Sequence, residues 1–284
     1  MKNILLPTDF SKNAWNAIFT ATKLYAPLEC RFYLLHTFEP KQQNVSGFKS
    51  TSRAGNVYAS LAAESEGELH KIKEYLLKHH KNKKHIFETL SISGGLVESI
   101  HELIPRHDID NIVMGTHGVT GSKKLFFGSN ALKVIRGIEN CATLLVPGSF
   151  NLQRLKSMAF PTEFAHYEPK KILFAIQDLM EIWKPEVHIL HVAQEFILSE
   201  QQETNKKMLM EHFKGLQTVF HEVPMSSNVT DAILKFTEGL KVDLVVLAKH
   251  SHDFFESLTR EPVVKKVGGR TEIPLLILPD FGGN

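Results

Sequence analysis

The chain has 284 residues, 43% of them hydrophobic, and a formal net charge of +2. That length suits two α/β domains of ordinary size rather than one, and the apolar share is enough for real cores. A charge so close to zero gives no bulk attraction to nucleic acid or to an anionic membrane surface, and no stretch approaches the length of a membrane span.

The opening MKNILLPTDF has only a short apolar run before Pro7, too short for a signal peptide. The two cysteines, Cys30 and Cys141, lie at strand borders and form no metal or redox spacing. Together these features lead us to expect a cytoplasmic protein with reduced thiols. The first strand covers residues 3–6 and stops at Pro7-Thr8-Asp9-Phe10. Ser11 can cap the helix that follows, whose buried side is marked by Ala14, Trp15, Ile18 and Leu24. A second strand covers 32–36. Residues 41–56 are polar, carry Lys41, Lys49 and Arg53, and read as a solvated connection or as a mobile loop over a site. A long helix over 57–80, an alternating strand over 86–92 and a short helix around Ile100, Leu103 and Ile104 come next. Strand and helix alternating in this way predict an α/β fold, a parallel sheet with helices on both faces.

The most informative stretch is 112–147. The apolar run Ile112, Val113, Met114 ends in Gly115, with Gly118 three residues later. Gly128-Ser129 then precedes a helical pattern at Ala131, Val134, Ile135 and Ile138, and a strand closes the unit at Leu144, Leu145 and Val146. Glycines after a strand let backbone approach a ligand closely, and a helix N-terminus offers unpaired N–H groups and a positive dipole end. Ser129 adds a hydroxyl. The pattern describes a cradle for phosphate.

The order G-x2-G-x9-G-S resembles the loop of the nucleotide-binding members of the universal stress protein family. The resemblance implies a strand order of 3-2-1-4-5 and ATP as the ligand, with magnesium as an accompanying ion left open and no other metal. It implies two tandem open five-stranded parallel sheets flanked by helices, Rossmann-like and similar to the adenine nucleotide alpha hydrolases, arranged as a pseudo-dimer. The implied site is Pro7, Thr8, Asp9 and Thr37 around adenosine, with Met114, Gly115, His117, Gly118, Gly128, Ser129 and Asn130 on the loop side. On the residues alone, Asp9 reads equally as a carboxylate that closes a turn or starts a helix.

The chain also repeats itself. Met158 to Phe164 repeats Ile4 to Phe10 in pattern, His188 to Val192 repeats Tyr33 to Thr37, Asp243 to His250 repeats Asp110 to His117, and Leu276-Ile277-Leu278-Pro279 repeats Leu144-Leu145-Val146-Pro147. Two copies of one domain, 1–150 and 151–284, are expected, and the family resemblance implies that their last strands pair inside the chain. Whether whole chains form a homodimer is left open. The second copy has Ala248 and Ser251 where the first has Gly115 and Gly118, and about Arg260-Glu261-Pro262 where the first has Gly128-Ser129. A carboxylate about 4 Å from a phosphate charge costs roughly 4 kcal/mol at a surface-like dielectric, so one ATP per chain is expected, in the first copy.

Other patterns carry less. Ser93-Gly94-Gly95 to Ser99 faintly resembles the SGGxDS pyrophosphate loop but has one residue too many and follows the third strand. No GxxxxGK[ST] loop is present. His250 and His252, with His188, His191 or His166, could hold zinc, or be ordinary polar loop residues. The expected function is an ATP-binding regulator in the stress response whose nucleotide state alters the loop over 119–127, with Lys123 and Lys124 near the phosphates, and so changes a surface read by protein partners. The rival is a slow ATPase or nucleotide hydrolase at the same site, for which Asp9 and His117 are the available groups.

Overall fold

β1 (Lys2–Pro7) is buried from Ile4 onward and leads into the turn that starts α1 (Lys12–Leu24). Ser11 caps that helix: its hydroxyl accepts the Ala14 N–H at 3.1 Å. β2 (Cys30–Phe38), α2 (Thr51–His79), β3 (His85–Ser93), α3 (Leu96–Arg106), β4 (Asn111–Gly115), α4 (Ser129–Gly137) and β5 (Ala142–Val146) complete the first half. The second half runs β6 (Ser157–Thr162), α5 (Lys170–Trp183), β7 (Glu186–Ala193), α6 (Glu200–His212), β8 (Thr218–Pro224), α7 (Val229–Leu240), β9 (Leu244–Ala248) and β10 (Leu275–Leu278). These elements come from a computed structural model, which describes residues 1–39, 51–117, 127–165, 170–193, 197–224, 229–248 and 273–279.

Among the described residues the strands form one ten-stranded sheet in the order β3-β2-β1-β4-β5-β10-β9-β6-β7-β8. Each half therefore has the 3-2-1-4-5 order, and within each half every pairing is parallel. The halves meet through the antiparallel pair β5–β10, in the register Leu275↔Leu145, Leu276↔Leu144 and Ile277↔Thr143. The expected pairing of the two last strands is thus present. It removes two sheet edges and buries Leu144, Leu145, Leu275, Leu276 and Ile277. Each such side chain contributes about 1.5–3 kcal/mol of transfer free energy.

One apolar layer lies under α1, α2, α5 and α6 and contains Ile18, Ile72, Ile176 and Leu209. The other lies under α3, α4 and α7 and contains Ile100, Val134 and Ile233. Both layers run through the two halves. Two polar contacts reinforce the junction: Trp183 Nε1–H donates to the Leu24 carbonyl at 3.0 Å, and Lys2 pairs with Asp178.

The halves repeat one another in hydrogen bonding as well as strand order. Asp110 accepts the Asn3 N–H at 2.7 Å, and Asp243 accepts the Lys156 and Ser157 N–H groups at 2.7 and 3.0 Å. α2 differs from its expected range: it begins at Thr51, six residues before the expected start. The side chains of residues 55 and 56 are exposed, so they give the helix start no apolar position by which a sequence pattern could show it.

Candidate functional site

β1 and β4 are neighbours in the sheet, but their register is confined to Ile4↔Asn111 and Leu5↔Ile112. Beyond Leu5 the two strands leave their shared ladder, while β1 stays paired with β2 as far as Pro7↔Leu35 and β4 with β5 as far as Gly115↔Val146. The order reverses here, since β1 continues to β2 on one side while β4 lies on the other. In open α/β sheets this is where a crevice forms at the carboxyl ends of the strands.

The β1 side of the crevice is a tight turn. Thr8 N–H donates to the Leu35 carbonyl at 2.8 Å, and the Thr8 hydroxyl accepts the Phe10 N–H at 3.0 Å. Phe10 has φ of 64°, a left-handed conformation that costs a bulky residue energy. Its ring lies 4.4 Å from that of His36, the residue before Thr37 on β2. Asp9 is half-buried, and its Oδ1 accepts the Ser11 N–H at 3.1 Å. The carboxylate thus closes a turn, the first of its two readings, and it does so at the edge of the crevice.

The β4 side is organised by a residue that sequence reasoning missed. Asn13, on the first turn of α1, donates from Nδ2 to the His117 carbonyl at 2.8 Å. A Cβ on Gly115 would stand 2.8 Å from Asn13 Nδ2 and 3.1 Å from its backbone carbonyl carbon, and a Cβ on Gly148 would stand 3.1 Å from Asn13 Oδ1. Gly115 is therefore required by the approach of α1, an intramolecular reason beside the ligand reading. Next to it, Thr116 N–H donates to the Val146 carbonyl at 3.0 Å, and the Thr116 hydroxyl lies 3.0 Å from His117 Nδ1.

The Thr116 carbonyl also accepts the Gly128 N–H at 2.6 Å, which fastens the start of α4 to the end of β4. Gly128 is the N-cap of that helix at φ −67° and ψ 161°, backbone values any residue can adopt. Its own N–H is used within the protein, so the anion-facing donors of a cradle are those of the first helical turn, at Ser129, Asn130 and Ala131. Ser129 and Asn130 are exposed. Gly128 supplies no side-chain acceptor to that turn, and the turn carries no acidic residue. α3, by contrast, also has a glycine N-cap, but Glu98 reaches back so far that a Cβ on Gly95 would meet its carboxylate. α6 is closed by a capping box between Ser199 and Gln202.

Pro7, Thr8, Asp9, Thr37, Met114, Gly115, His117, Gly128, Ser129 and Asn130 thus all lie at the carboxyl-end side of the first five strands. Gly118, Lys123 and Lys124 lie outside the described residues, as do Ser251 and Arg260-Glu261-Pro262. In the second half the corresponding turn is built alike: Phe164 has φ of 56°, its N–H donates to the Thr162 hydroxyl at 3.1 Å, and its ring stacks on His191 at 5.0 Å. It is held more firmly, because Gln202 donates to the Glu163 carbonyl at 3.2 Å and Asn205 to the Phe164 carbonyl at 2.8 Å.

Two other expectations concern chemistry elsewhere. Cys30 and Cys141 are free and buried, and burial pushes their thiols up to about 11 and about 12, so both are poor nucleophiles. Of the histidines considered for zinc, His188 bonds His221 at 3.0 Å, while His166, His250 and His252 lie outside the described residues. Among the described residues no group of three His, Cys, Asp or Glu side chains could hold a metal, and no helix is long and apolar enough to cross a membrane.

The comparisons with known proteins agree with this architecture. Among proteins with curated descriptions none matches. Among solved structures, a universal stress protein from Archaeoglobus fulgidus is similar over 98% of both chains, with a TM-score of 0.64 and 15% identity. A protein of unknown function from Pseudomonas aeruginosa is similar over 98% of this chain and 92% of its own, with a TM-score of 0.55 and 14% identity. The cytoplasmic domain of a prokaryotic cation chloride cotransporter is similar over 98% and 95%, with a TM-score of 0.53 and 13% identity. At such identities the likeness speaks for the fold alone. The sequence itself matches the profile of the universal stress protein family over residues 1–147, and the chain belongs to that family.

Proposed function

We propose that this chain is a nucleotide-dependent regulator that binds one adenine nucleotide, ATP, in the crevice of its first half. The observation that carries the reading is the start of α4. A helix N-terminus with a glycine cap, no acid in its first turn and exposed Ser129 and Asn130 stands at the open end of the β1–β4 crevice. An anion there gains up to about 2 kcal/mol from the helix end in a partly buried geometry, before any side chain contributes. Gly115, Gly118, Gly128 and Ser129 keep the spacing seen in nucleotide-binding members of the family. The Pro7-Thr8-Asp9 turn and Thr37 resemble the residues around adenosine in those members, which supports ATP over GTP.

The same reading divides the chain into a nucleotide-binding domain at 1–150 and a degenerate copy at 151–284. Glu261-Pro262 replaces Gly128-Ser129 in the second copy. A carboxylate and a residue without N–H oppose phosphate at a helix start. The bonds from Gln202 and Asn205 further restrict the second turn.

A regulator releases the nucleotide it took up, whereas a slow ATPase returns ADP and phosphate. The alternative enzyme would draw on Asp9 and His117. Native mass spectrometry of the purified protein, followed by phosphate release on added ATP, separates the two. Bound ATP released intact supports the regulator. Stoichiometric phosphate on the time scale of nucleotide exchange supports the hydrolase.

A further inference from the structure

His36 joins three elements that meet behind the Asp9 turn. Its Nδ1 lies 2.9 Å from the Ser65 hydroxyl on α2, and Ser65 in turn bonds Ser91 on β3 at 2.7 Å. Ser65 has no exposed surface. With Ser91 donating to Ser65, the Ser65 hydroxyl is left to donate to His36 Nδ1 when that nitrogen is unprotonated and to accept from it when it carries a hydrogen. The other face of the imidazole meets Phe10, the left-handed residue beside Asp9. The second half does this differently. His191 Nδ1 lies 3.3 Å from the Thr162 carbonyl, and a carbonyl only accepts, so that nitrogen carries a hydrogen. There Gln202 and Asn205 also hold the turn.

We infer that His36 is a positioning residue: neutral, it ties the strained Thr8–Phe10 turn to the buried side of α2 through Ser65, and protonated, it loosens that tie. Among the described residues the charges facing the ring are Asp9 from the turn and Glu64 from α2, while β3 contributes the neutral Ser91. Burial holds the ring below the usual histidine range, and the two carboxylates oppose that effect. A proton on Nδ1 reverses its bond to Ser65 without breaking it, but it places an ion where burial disfavours charge, so protonation favours a loosened turn. The consequence for affinity rests on the nucleotide reading proposed above, whereas the consequence for the turn does not.

The test uses the full chain, without ligand and with ATP. In ligand-free protein, imidazole NMR follows His36, and amide exchange corrected for its intrinsic pH dependence follows residues 8–11 and 61–65. Exchange in both segments should rise about tenfold as His36 takes up its proton on acidification, below the usual histidine range. His36→Asn keeps an acceptor for the Ser65 hydroxyl but no titratable ring, and should remove the pH step. Ser65→Ala should give fast exchange in the turn already at neutral pH. Calorimetry with ATP should show affinity falling about tenfold between about pH 7.5 and about pH 5 in the wild type and staying flat in His36→Asn. A turn whose exchange ignores the His36 titration, or an equal pH step in His36→Asn, overturns the inference. Exchange that behaves as stated in a protein that binds no ATP at any pH overturns the ligand reading and leaves the positioning role standing.

Discussion

Asn13 and Gly115 lie so close that a side chain on the glycine would have to displace the Asn13 side chain. A Cβ there would sit 2.8 Å from the Asn13 amide nitrogen and 2.9 Å from its Cγ, on the helix that follows β1. The same amide holds the His117 carbonyl at 2.8 Å. The first glycine of the loop and the first turn of α1 therefore fix each other's position.

Gly115→Ala should destabilise the protein by about 1–3 kcal/mol, the usual cost of overpacking a tight contact. In an Asn13→Ala background the cost should shrink without vanishing, because the backbone carbonyl carbon of residue 13 remains 3.1 Å away. A double-mutant cycle in urea measures the coupling. Strictly additive effects would contradict this contact.

Leu276→Ala should cost about 2–5 kcal/mol, as for other buried leucines. Leu276 faces Leu144 across the antiparallel β5–β10 pairing and belongs to an apolar layer shared by both halves. Unfolding followed at Trp15 and Trp183 should therefore shift as one transition. A variant in which only the second half loosens would show that the halves are energetically separate.

Acid should weaken the fold through its buried histidines. Burial depresses His80, His85, His36 and His221, most directly at the pair His80 Nε2 to His85 Nδ1, 2.7 Å apart. The folded values lie below the unfolded value of about 6.5, so in the window between them the unfolded chain binds more protons and stability rises with pH. Stability is complete above about pH 6.5 and declines as pH falls toward the depressed folded values. The urea midpoint should be lower at about pH 5 than at about pH 7 with an unchanged m-value, and His85→Gln should reduce the difference. A midpoint that climbs on acidification would reverse the sign and refute this account.

Much of this architecture is legible in the residues, for identifiable reasons. Ser11 and Gly128-Ser129 mark two helix starts because capping chemistry is local. The repeat of Leu144-Leu145-Val146-Pro147 in Leu276-Ile277-Leu278-Pro279 is visible in the residues, while the pairing of β5 with β10 is what the family resemblance implies. Strand order came from the family resemblance, since periodicity carries no topology. Asn13 was missed because its partners are about a hundred residues away and no local pattern announces them. The Thr116 carbonyl that takes the Gly128 N–H is hidden for the same reason. His36 had a visible signal, the recurrence of Phe10 and His36 as Phe164 and His191, but its bond to Ser65 has no counterpart in the repeat.

Calorimetric titration of the full chain with ATP, wild type beside Gly128→Glu, tests the central claim most directly. The wild type should bind one equivalent, and Glu261→Ala should leave that affinity unchanged. Gly128→Glu sets a carboxylate at the cap of α4, where the phosphates are proposed to bind, and should weaken binding by at least about 3 kcal/mol, more than a hundredfold. Two equivalents of similar affinity in the wild type, or ATP still held by Gly128→Glu, would contradict the account.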